Sequence, residues 1–446
     1  MTLPGPRSPL AQLRTGVTAM REPAEALRRL RGEYGPVVAF GVRPYRYVAL
    51  FGPEANRYLL AEHPENFRWR EALRVLIPVD GATALVVSDG PEHRRRRHLV
   101  QPAFGTRRIE GYLDVMTDEI DRELDRWTVG RELDAFACLR DAVRRVAVRT
   151  LFGDELGGRA DELGTALAAA IDFVNLPPML QLRVDLPWTR WHRARIARDR
   201  ADVIVNDEIA RRRAERDRDD SSDLLDALLA ARDDETGDGL SDVEIRDQVV
   251  SLVAAGFETT SATAAWAVHE LLTNDGEWER AAQEVDAVVG DHRPTIAHFA
   301  RMQHLDAVVN ETLRLWPAGF LSARYAVDGF EFDGHEIPAR STVLYSPFVT
   351  HRDPRWWPEP DRFDPDRWRD GREPTPYTFL PFGGGYRRCI GFAFATQELK
   401  VLLTRLLQRV RLIAEPVPVV GVGAAALRPK HGVPVRVEER RAVAIT

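Results

Sequence analysis

Cysteine is nearly missing from this chain: Cys138 and Cys389 are the only two among 446 residues. Two thiols exclude a disulfide framework and fit a reducing compartment. Lysine is as scarce, with Lys400 and Lys430 alone, so nearly all of the 62 basic side chains are arginine. No stretch reaches the roughly 20 apolar residues that cross a bilayer, and the start, "MTLPGPRSPLAQLRTG", has no apolar signal-peptide core. A net charge of −6 argues against nucleic acid as the main partner. These absences predict a soluble, cytoplasmic protein with no transmembrane anchor. No internal repeat and no long linker divides the chain, so residues 1–446 read as a single domain. Its first 30 residues, with Pro4, Pro6, Pro9 and Pro23, read as an irregular lead-in before a short helix.

What is present is mostly helical. Ile109, Leu113, Met116, Ile120 and Leu124 recur at three- and four-residue spacing and predict an amphipathic helix over 107–127. The charge run over 209–239 reads as a helix end with a solvated face, a polar link, another helix and a loop. Ser241 with Glu244 forms a capping box opening a proline-free segment, 241–274, long and apolar enough to run through the core. Strand character appears at 45–52, and "FEFDGHEIP" with "STVLYSPFV" reads as a hairpin region. Residues 392–410 are again helical. The expected fold class is mainly α with a small β region.

Cys138 fits the common role of a buried packing thiol. Cys389, in "PFGGGYRRCIG", does not. Arg387 and Arg388 favour its thiolate. Gly383, Gly384, Gly385 and Gly391 let the backbone approach a flat group closely, and a helix begins just after it. A cysteine nucleophile needs a base, and none lies near in sequence. Zinc needs more sulfur or imidazole ligands than this neighbourhood supplies. A single thiolate on an otherwise open metal is the pattern of haem with a cysteine proximal ligand.

The stretch resembles the cysteine-ligand loop of the cytochrome P-450 superfamily, F-x-x-G-x-R-x-C-x-G, with Phe382, Gly385, Arg387, Cys389 and Gly391 in every fixed place. The resemblance, to the soluble bacterial type, implies that Cys389 is the axial ligand of haem b. It also implies that Phe382 shields the sulfur and that Arg387 meets a propionate. Three further stretches resemble family motifs in the family's order. "DGPEHRRRRHLVQPAF" resembles the propionate-binding helix, with His93 and Arg97 one turn apart, while Arg94, Arg95 and Arg96 read as a solvated face. Arg324 aligns with another propionate contact. "AAGFETT" resembles the oxygen-activating stretch, in which Gly256 leaves room for dioxygen while Thr259 and Glu258 deliver protons. "ETLR" supplies Glu311 and Arg314, and "PEPDRF" supplies Arg362, to complete a structural Glu–Arg–Arg lock.

The family's fold is a triangular, mainly α domain with a small β region. Its activity is that of a monooxygenase inserting one atom of O2 into a substrate. The resemblance implies electrons from NAD(P)H passed through a separate ferredoxin or flavodoxin and its reductase, docked near Arg387, Arg388 and Arg94–Arg96, with the protein acting as a monomer. It places the pocket around residues 74–82, 173–182, 253–257, 318–321 and 423–425. Val253, Phe257, Ala318, Gly319, Phe320, Leu321 and Ala424 are its expected lining. That lining predicts a lipophilic substrate, such as one from secondary metabolism, and Arg74 and Arg183 read as solvated. The alternatives are a peroxide-driven peroxygenase, a non-catalytic haem or ligand-binding protein, and a cysteine hydrolase. Glu258 with Thr259 argues against the first, the absence of a signalling segment against the second, and the lack of a base against the third.

Overall fold

The computed structural model describes residues 3–42, 46–176, 180–215, 223–369, 371, 373–416 and 420–441. Its axis is the helix Asp242–Thr273, 32 residues that span roughly 48 Å at 1.5 Å per residue. The expected capping box is formed at its start. The Glu244 backbone N–H donates to Ser241 Oγ (3.3 Å) and the Ser241 N–H donates to Glu244 Oε2 (3.0 Å). Ile245, Val249, Val250, Ala262, Ala265 and Val268 are fully buried along it, against the helices Ala135–Phe152, Arg190–Ala214, Gln303–Leu315 and Phe392–Arg409.

The amphipathic helix is Thr106–Leu124, and its apolar stripe is buried as the spacing predicts. Its polar flank is buried too. Asp121 receives both arms of Arg405 at 2.8 Å, and Arg145 bonds Glu119 and Glu123 at 2.9 Å each. Likewise, the charged end of the Arg190–Ala214 helix is not simply solvated. Arg212 is buried and pairs with Glu208, Asp223 and Asp226 at 2.6–2.9 Å. The polar link at 216–222 lies outside the described residues.

Two other expectations are corrected. The lead-in is helical from Pro9, as Pro9–Arg21 and then Pro23–Tyr34. Proline at the first helical position has no needed N–H to lose, so Pro9 and Pro23 open helices instead of breaking them. The two strand-like segments do not pair with each other. Phe330–Phe332 folds back on His335–Ile337 around Asp333 and Gly334, both at positive φ (50° and 71°), a two-residue Asp-Gly turn. Thr342–Tyr345 instead pairs antiparallel with Ser322–Ala326 and parallel with Tyr47–Leu50, inside a five-stranded sheet completed by Val37–Phe40 and Phe67–Arg68.

Arg95 and Arg96 also leave the solvated face expected of them. Both donate to Glu244 Oε1, at 2.8 and 2.9 Å, and Arg96 reaches Ser88 Oγ at 2.8 Å. Glu244 thus caps the central helix and ties it to the helix Gly90–Val100. Burial pushes the Glu244 carboxyl up, but the Ser241 N–H, Arg96 and Arg95 outweigh it and bring it from 4.5 to about 2. Because the folded value is depressed, the clamp's contribution is complete above pH 4.5 and fades as pH falls towards 2. Glu244→Gln should therefore lower stability by about 2 kcal/mol at neutral pH. In thermal melts across pH, the gap from wild type should close on acidification; a constant gap would place the effect elsewhere.

Candidate active site

The loop before Cys389 turns on glycine. Gly383 and Gly385 have φ of 69° and 62°, and a Cβ on Gly385 would sit 2.1 Å from the Leu60 carbonyl oxygen. The Cys389 N–H donates to the Phe382 carbonyl at 2.9 Å, and the Gly391 N–H donates to the Cys389 sulfur. Gly391 is also the N-cap of Phe392–Arg409, so the sulfur lies at the positive end of that helix, as expected. Phe382 lies 6.3 Å from the Phe392 ring, beside the same turn.

Cys389 is open to solvent by surface area, yet its thiol is raised above the ordinary value chiefly by burial. The two agree if the sulfur lies on the wall of a concavity, crowded by protein atoms on most sides and accessible from one. The Gly391 N–H, Arg97 and Arg388 pull the thiol down without offsetting that crowding. Arg97 takes the place expected of Arg387, whose guanidinium is turned to Asp89 Oδ1 (2.7 Å) and the Ser88 carbonyl. A bound metal ion would deprotonate the thiol outright. Cys138, half-buried against the core and pushed up to about 11 mainly by burial, has the packing role expected.

His93, Arg97, Arg324 and Arg387 converge beside this concavity. His93 is buried, its Nδ1 has no partner, and burial together with Arg387, Arg97 and Arg94 lowers it to about 3, so it is neutral. Arg97 makes no ion pair among the described residues, and Arg387 Nε is buried without a partner. Arg324 is buried against Ser322 Oγ (2.7 Å) and the Ala323 carbonyl (2.8 Å) and has no carboxylate partner among the described residues. The guanidinium carbons of Arg324 and Arg387 lie 3.7 and 4.9 Å from the Trp69 ring centre. Asp89, bonded to Arg387, is the one carboxylate that the described residues give this cluster. Unmatched donors and cations around a lone sulfur fit a group that carries an iron and two carboxylates. Haem is such a group, and Cys389, His93, Arg97 and Arg324 are the residues that would hold it. Sequence reasoning missed Trp69, which no motif marks, and Asp89, which opens the quoted basic stretch but was given no role there.

The central helix packs against the helix that Gly391 opens and carries an open stripe of its own. Between Glu244 and Val268 every residue is buried except Leu252, Ala254, Ala255, Gly256 and Thr259. Leu252, Ala255, Gly256 and Thr259 follow i, i+3, i+4, i+7 spacing, so one stripe of a core helix stands open. A Cβ on Gly256 would meet nothing within 4 Å. Thr259 Oγ1 donates to the Ala255 carbonyl at 2.6 Å on the same stripe. The next residue, Thr260, bonds Glu398, which lies on the helix that Gly391 opens and links the two helices.

The structure does not bring Glu258 to Thr259. The Glu258 carboxylate is buried and held by the Arg140 guanidinium and by Asn175 Nδ2 (3.1 Å). Several expected pocket residues also fall off the open stripe. Val253 is fully buried, Phe257 packs under Arg140 at 5.4 Å, and Phe320 packs with Phe51, Leu344 and Phe348 in the core beside the sheet. Helical geometry decides this: positions 253 and 257 lie roughly 100° from 252 and 256. Gly319 faces open space, Ala424 is exposed, Leu321 is half-buried, and Ala318 is buried with its carbonyl bonded by the Leu427 N–H. Of the expected stretch 173–182, residues 177–179 lie outside the described residues. Arg74 and Arg183 are exposed, as expected.

The lock exists with one member exchanged. Arg314 and Glu311, neither with any exposed side chain, make two hydrogen bonds of 2.8 Å. Arg314 also donates to the carbonyls of His351, Pro360 and Arg362. The second arginine on Glu311 is Arg367 (3.2 Å), joined by Trp368 Nε1 (3.0 Å) and the Asp364 N–H (2.9 Å). Arg362 offers only its carbonyl, and its side chain pairs with Glu359 at the surface. The chain repeats Pro-Asp-Arg-aromatic at 360–363 and 365–368, so spacing alone could not choose. The short helix Pro365–Trp368 aims the second copy inward.

The profile of the Cytochrome P450 family matches residues 4–420. Putative cytochrome P450 139 of Mycobacterium tuberculosis (strain ATCC 25618 / H37Rv) is 42% identical over 431 residues, 94% of this chain and 99% of that protein. Cyclooctatin synthase and cyclooctat-9-en-7-ol 5-monooxygenase, both of Streptomyces melanosporofaciens, are 38% and 33% identical. They cover 75% and 89% of this chain, and 73% and 86% of their own lengths. Among solved structures, retinoic acid bound cyanobacterial CYP120A1 superposes with a TM-score of 0.86 at 27% identity, covering 99% of this chain and all of that one. The chain therefore belongs to the cytochrome P450 family, whose cofactor is haem. It is a cytochrome P450 monooxygenase.

The exchange within the lock gives a direct comparison. Arg367→Ala strips a partner from a buried carboxylate and should cost about 3 kcal/mol or more. Arg362→Ala removes an exposed pair and should cost well under ~1 kcal/mol. Urea unfolding of the two variants, read by far-UV circular dichroism, should show that order; the reverse would restore Arg362.

Proposed function

We propose that this protein inserts one oxygen atom from O2 into a lipophilic small molecule of secondary metabolism. It takes electrons from NAD(P)H through a separate ferredoxin or flavodoxin and works in the cytoplasm as a single-domain monomer. The observation that carries this is the open, largely apolar stripe Leu252, Ala255, Gly256 and Thr259 on a core helix that packs against the helix beginning just after Cys389. The names of the two Streptomyces relatives support an oxidised lipophilic product.

When bound through Cys389, haem b supplies the iron at which dioxygen is reduced and transferred. The chain's own residues do the rest. Gly256 keeps the space above that position clear. The Thr259 hydroxyl is the one protic side chain on the stripe, and general acid catalysis needs such a group within hydrogen-bond reach. Its proton now rests on the Ala255 carbonyl, so turning the side chain to the stripe costs one helix-side bond. Glu258 stands one residue away, and its partner Arg140 reaches partly into solvent and pairs with Asp172 as well. Releasing Glu258 from Arg140 and Asn175 would open a path for protons from solvent to Thr259.

The electron partner meets a smaller basic face than the sequence suggests. Arg94 and Arg388 are exposed, with Arg388 stacked at 4.0 Å on Phe392, whereas Arg95 and Arg96 are consumed by Glu244. Acidic ferredoxins suit such a face.

Cys389→Ser should abolish the thiolate-type ferrous–CO absorption of purified protein, and a surviving band would remove Cys389 as the ligand. Thr259→Ala should bind substrate with unchanged affinity yet lower coupling of NAD(P)H to product about tenfold or more, by the usual weight of a general acid. The lost electrons should appear as hydrogen peroxide in a surrogate ferredoxin assay. Unchanged coupling would remove the hydroxyl from proton delivery, and turnover with peroxide alone would favour a peroxygenase.

A further inference from the structure

Arg324 differs from the other buried cations. It is 2% exposed, and it is the one buried arginine without a carboxylate partner among the described residues. Its hydrogen bonds go to neutral oxygens: Ser322 Oγ (2.7 Å), the Ala323 carbonyl (2.8 Å) and the Tyr345 hydroxyl (3.3 Å). A buried charge without a counter-ion is costly, so another attraction must hold it there.

Trp69 meets that need. Its ring centre lies 3.7 Å from the guanidinium carbon of Arg324 and 4.9 Å from that of Arg387. Indole is the best of the aromatic faces for a cation, and the attraction strengthens away from water. Strand register delivers the ring. Phe67–Arg68 pairs antiparallel with Ser322–Ala326, Phe67 opposite Ala326 and Arg68 opposite Tyr325, so residue 69 arrives beside residue 324. Asp89 then fixes the turn. Its carboxylate accepts from the Trp69 N–H (3.0 Å) and the Arg70 N–H (2.9 Å), and also from Arg387 (2.7 Å). Trp69 belongs to none of the hydrophobic clusters of the core, whereas Trp69, Arg324, Tyr386 and Arg387 line one cavity. The indole serves the cations and not the apolar core.

We propose that Trp69 is a positioning residue for the cofactor, holding the buried Arg324 guanidinium in place without neutralising it. A carboxylate in the same place would stabilise the guanidinium but cancel its charge, leaving little for a carboxylate of the haem. An aromatic face has a quadrupole and no net charge, so the guanidinium keeps its pull on an incoming anion. The proposal rests on the reading of Arg324 as a residue that would hold the haem.

The test is transfer of haem from the loaded protein to excess apomyoglobin, followed by absorbance. Trp69→Leu should speed the loss about tenfold, the weight of a desolvated cation–π contact, while Trp69→Phe, which keeps a ring face, should stay within about threefold of wild type. Arg324→Leu should also speed it. Trp69→Leu combined with Arg324→Leu should be little faster than Arg324→Leu alone, because one shared interaction is lost only once. A merely structural role for Trp69 would make the two effects multiply. Trp69→Met, also without a ring face, takes the place of Trp69→Leu if that variant does not fold. Haem loss from Trp69→Leu at the wild-type rate, equal loss from Trp69→Phe and Trp69→Leu, or multiplying effects would overturn the proposal. If Arg324→Leu itself keeps haem like wild type, the reading of Arg324 falls and the proposal with it. If Trp69→Leu alone does so, the reading of Arg324 stands and only the proposal falls. Haem transfer is read without turnover, so neither result touches the proposed function.

Discussion

A helix through the middle of a protein normally hides every face, and this one must leave a single stripe uncovered. That constraint organises the rest. Packing on Val249, Val250, Val253, Phe257 and Ala262 holds the central helix on its closed sides, while Ala255, Gly256 and Thr259 stay accessible. Small residues keep the stripe open without a large apolar surface meeting water. The cysteine loop is fixed by a different device: glycine turns and backbone N–H groups that place one sulfur at a helix start.

Arginine carries most of the internal charge that keeps these elements in place. Arg405 on Asp121 and Arg145 on Glu119 and Glu123 are buried pairs between different helices, Arg212 on Asp223 ties one helix end to the next helix, and Arg314 on Glu311 is buried within a single helix. A guanidinium stays charged when buried and meets a carboxylate with two parallel donors, whereas a buried ammonium loses its proton more readily. A chain with only two lysines is suited to burying charge in this way. Such pairs give little net stability against an apolar core, but breaking one is costly because the partner is left unpaired. They act as registry points, and the Glu244 clamp on the basic helix is one of them.

The cluster of His93, Arg97, Arg324 and Arg387 departs from that pattern. Among the described residues the other buried arginines each have a carboxylate, whereas one carboxylate, Asp89, serves this group. Burial first, and then the like charges of Arg387, Arg97 and Arg94, lower the affinity of His93 for a proton, and donors are left unmatched. A site built this way stores its electrostatic demand for a ligand with two negative ends.

The cysteine loop, the helix of Glu311 and Arg314, the length and cap of the central helix, and the amphipathic helix were all legible in the chain. Each is encoded by residues close together in sequence: glycines at fixed offsets, a Ser–Glu box, apolar residues at helical spacing. Tertiary structure decided which copy of Pro-Asp-Arg meets Glu311 and that Arg95 and Arg96 turn to Glu244 instead of water. It also decided that Thr342–Tyr345 pairs with 47–50 and 322–326, and that Phe257 and Phe320 face away from the open stripe. Local sequence sets what a segment can form. Side-chain direction and long-range pairing depend on which surfaces arrive opposite it, and those come from other segments of the chain, from Tyr325 beside Thr342 to Tyr47 beside the same residue.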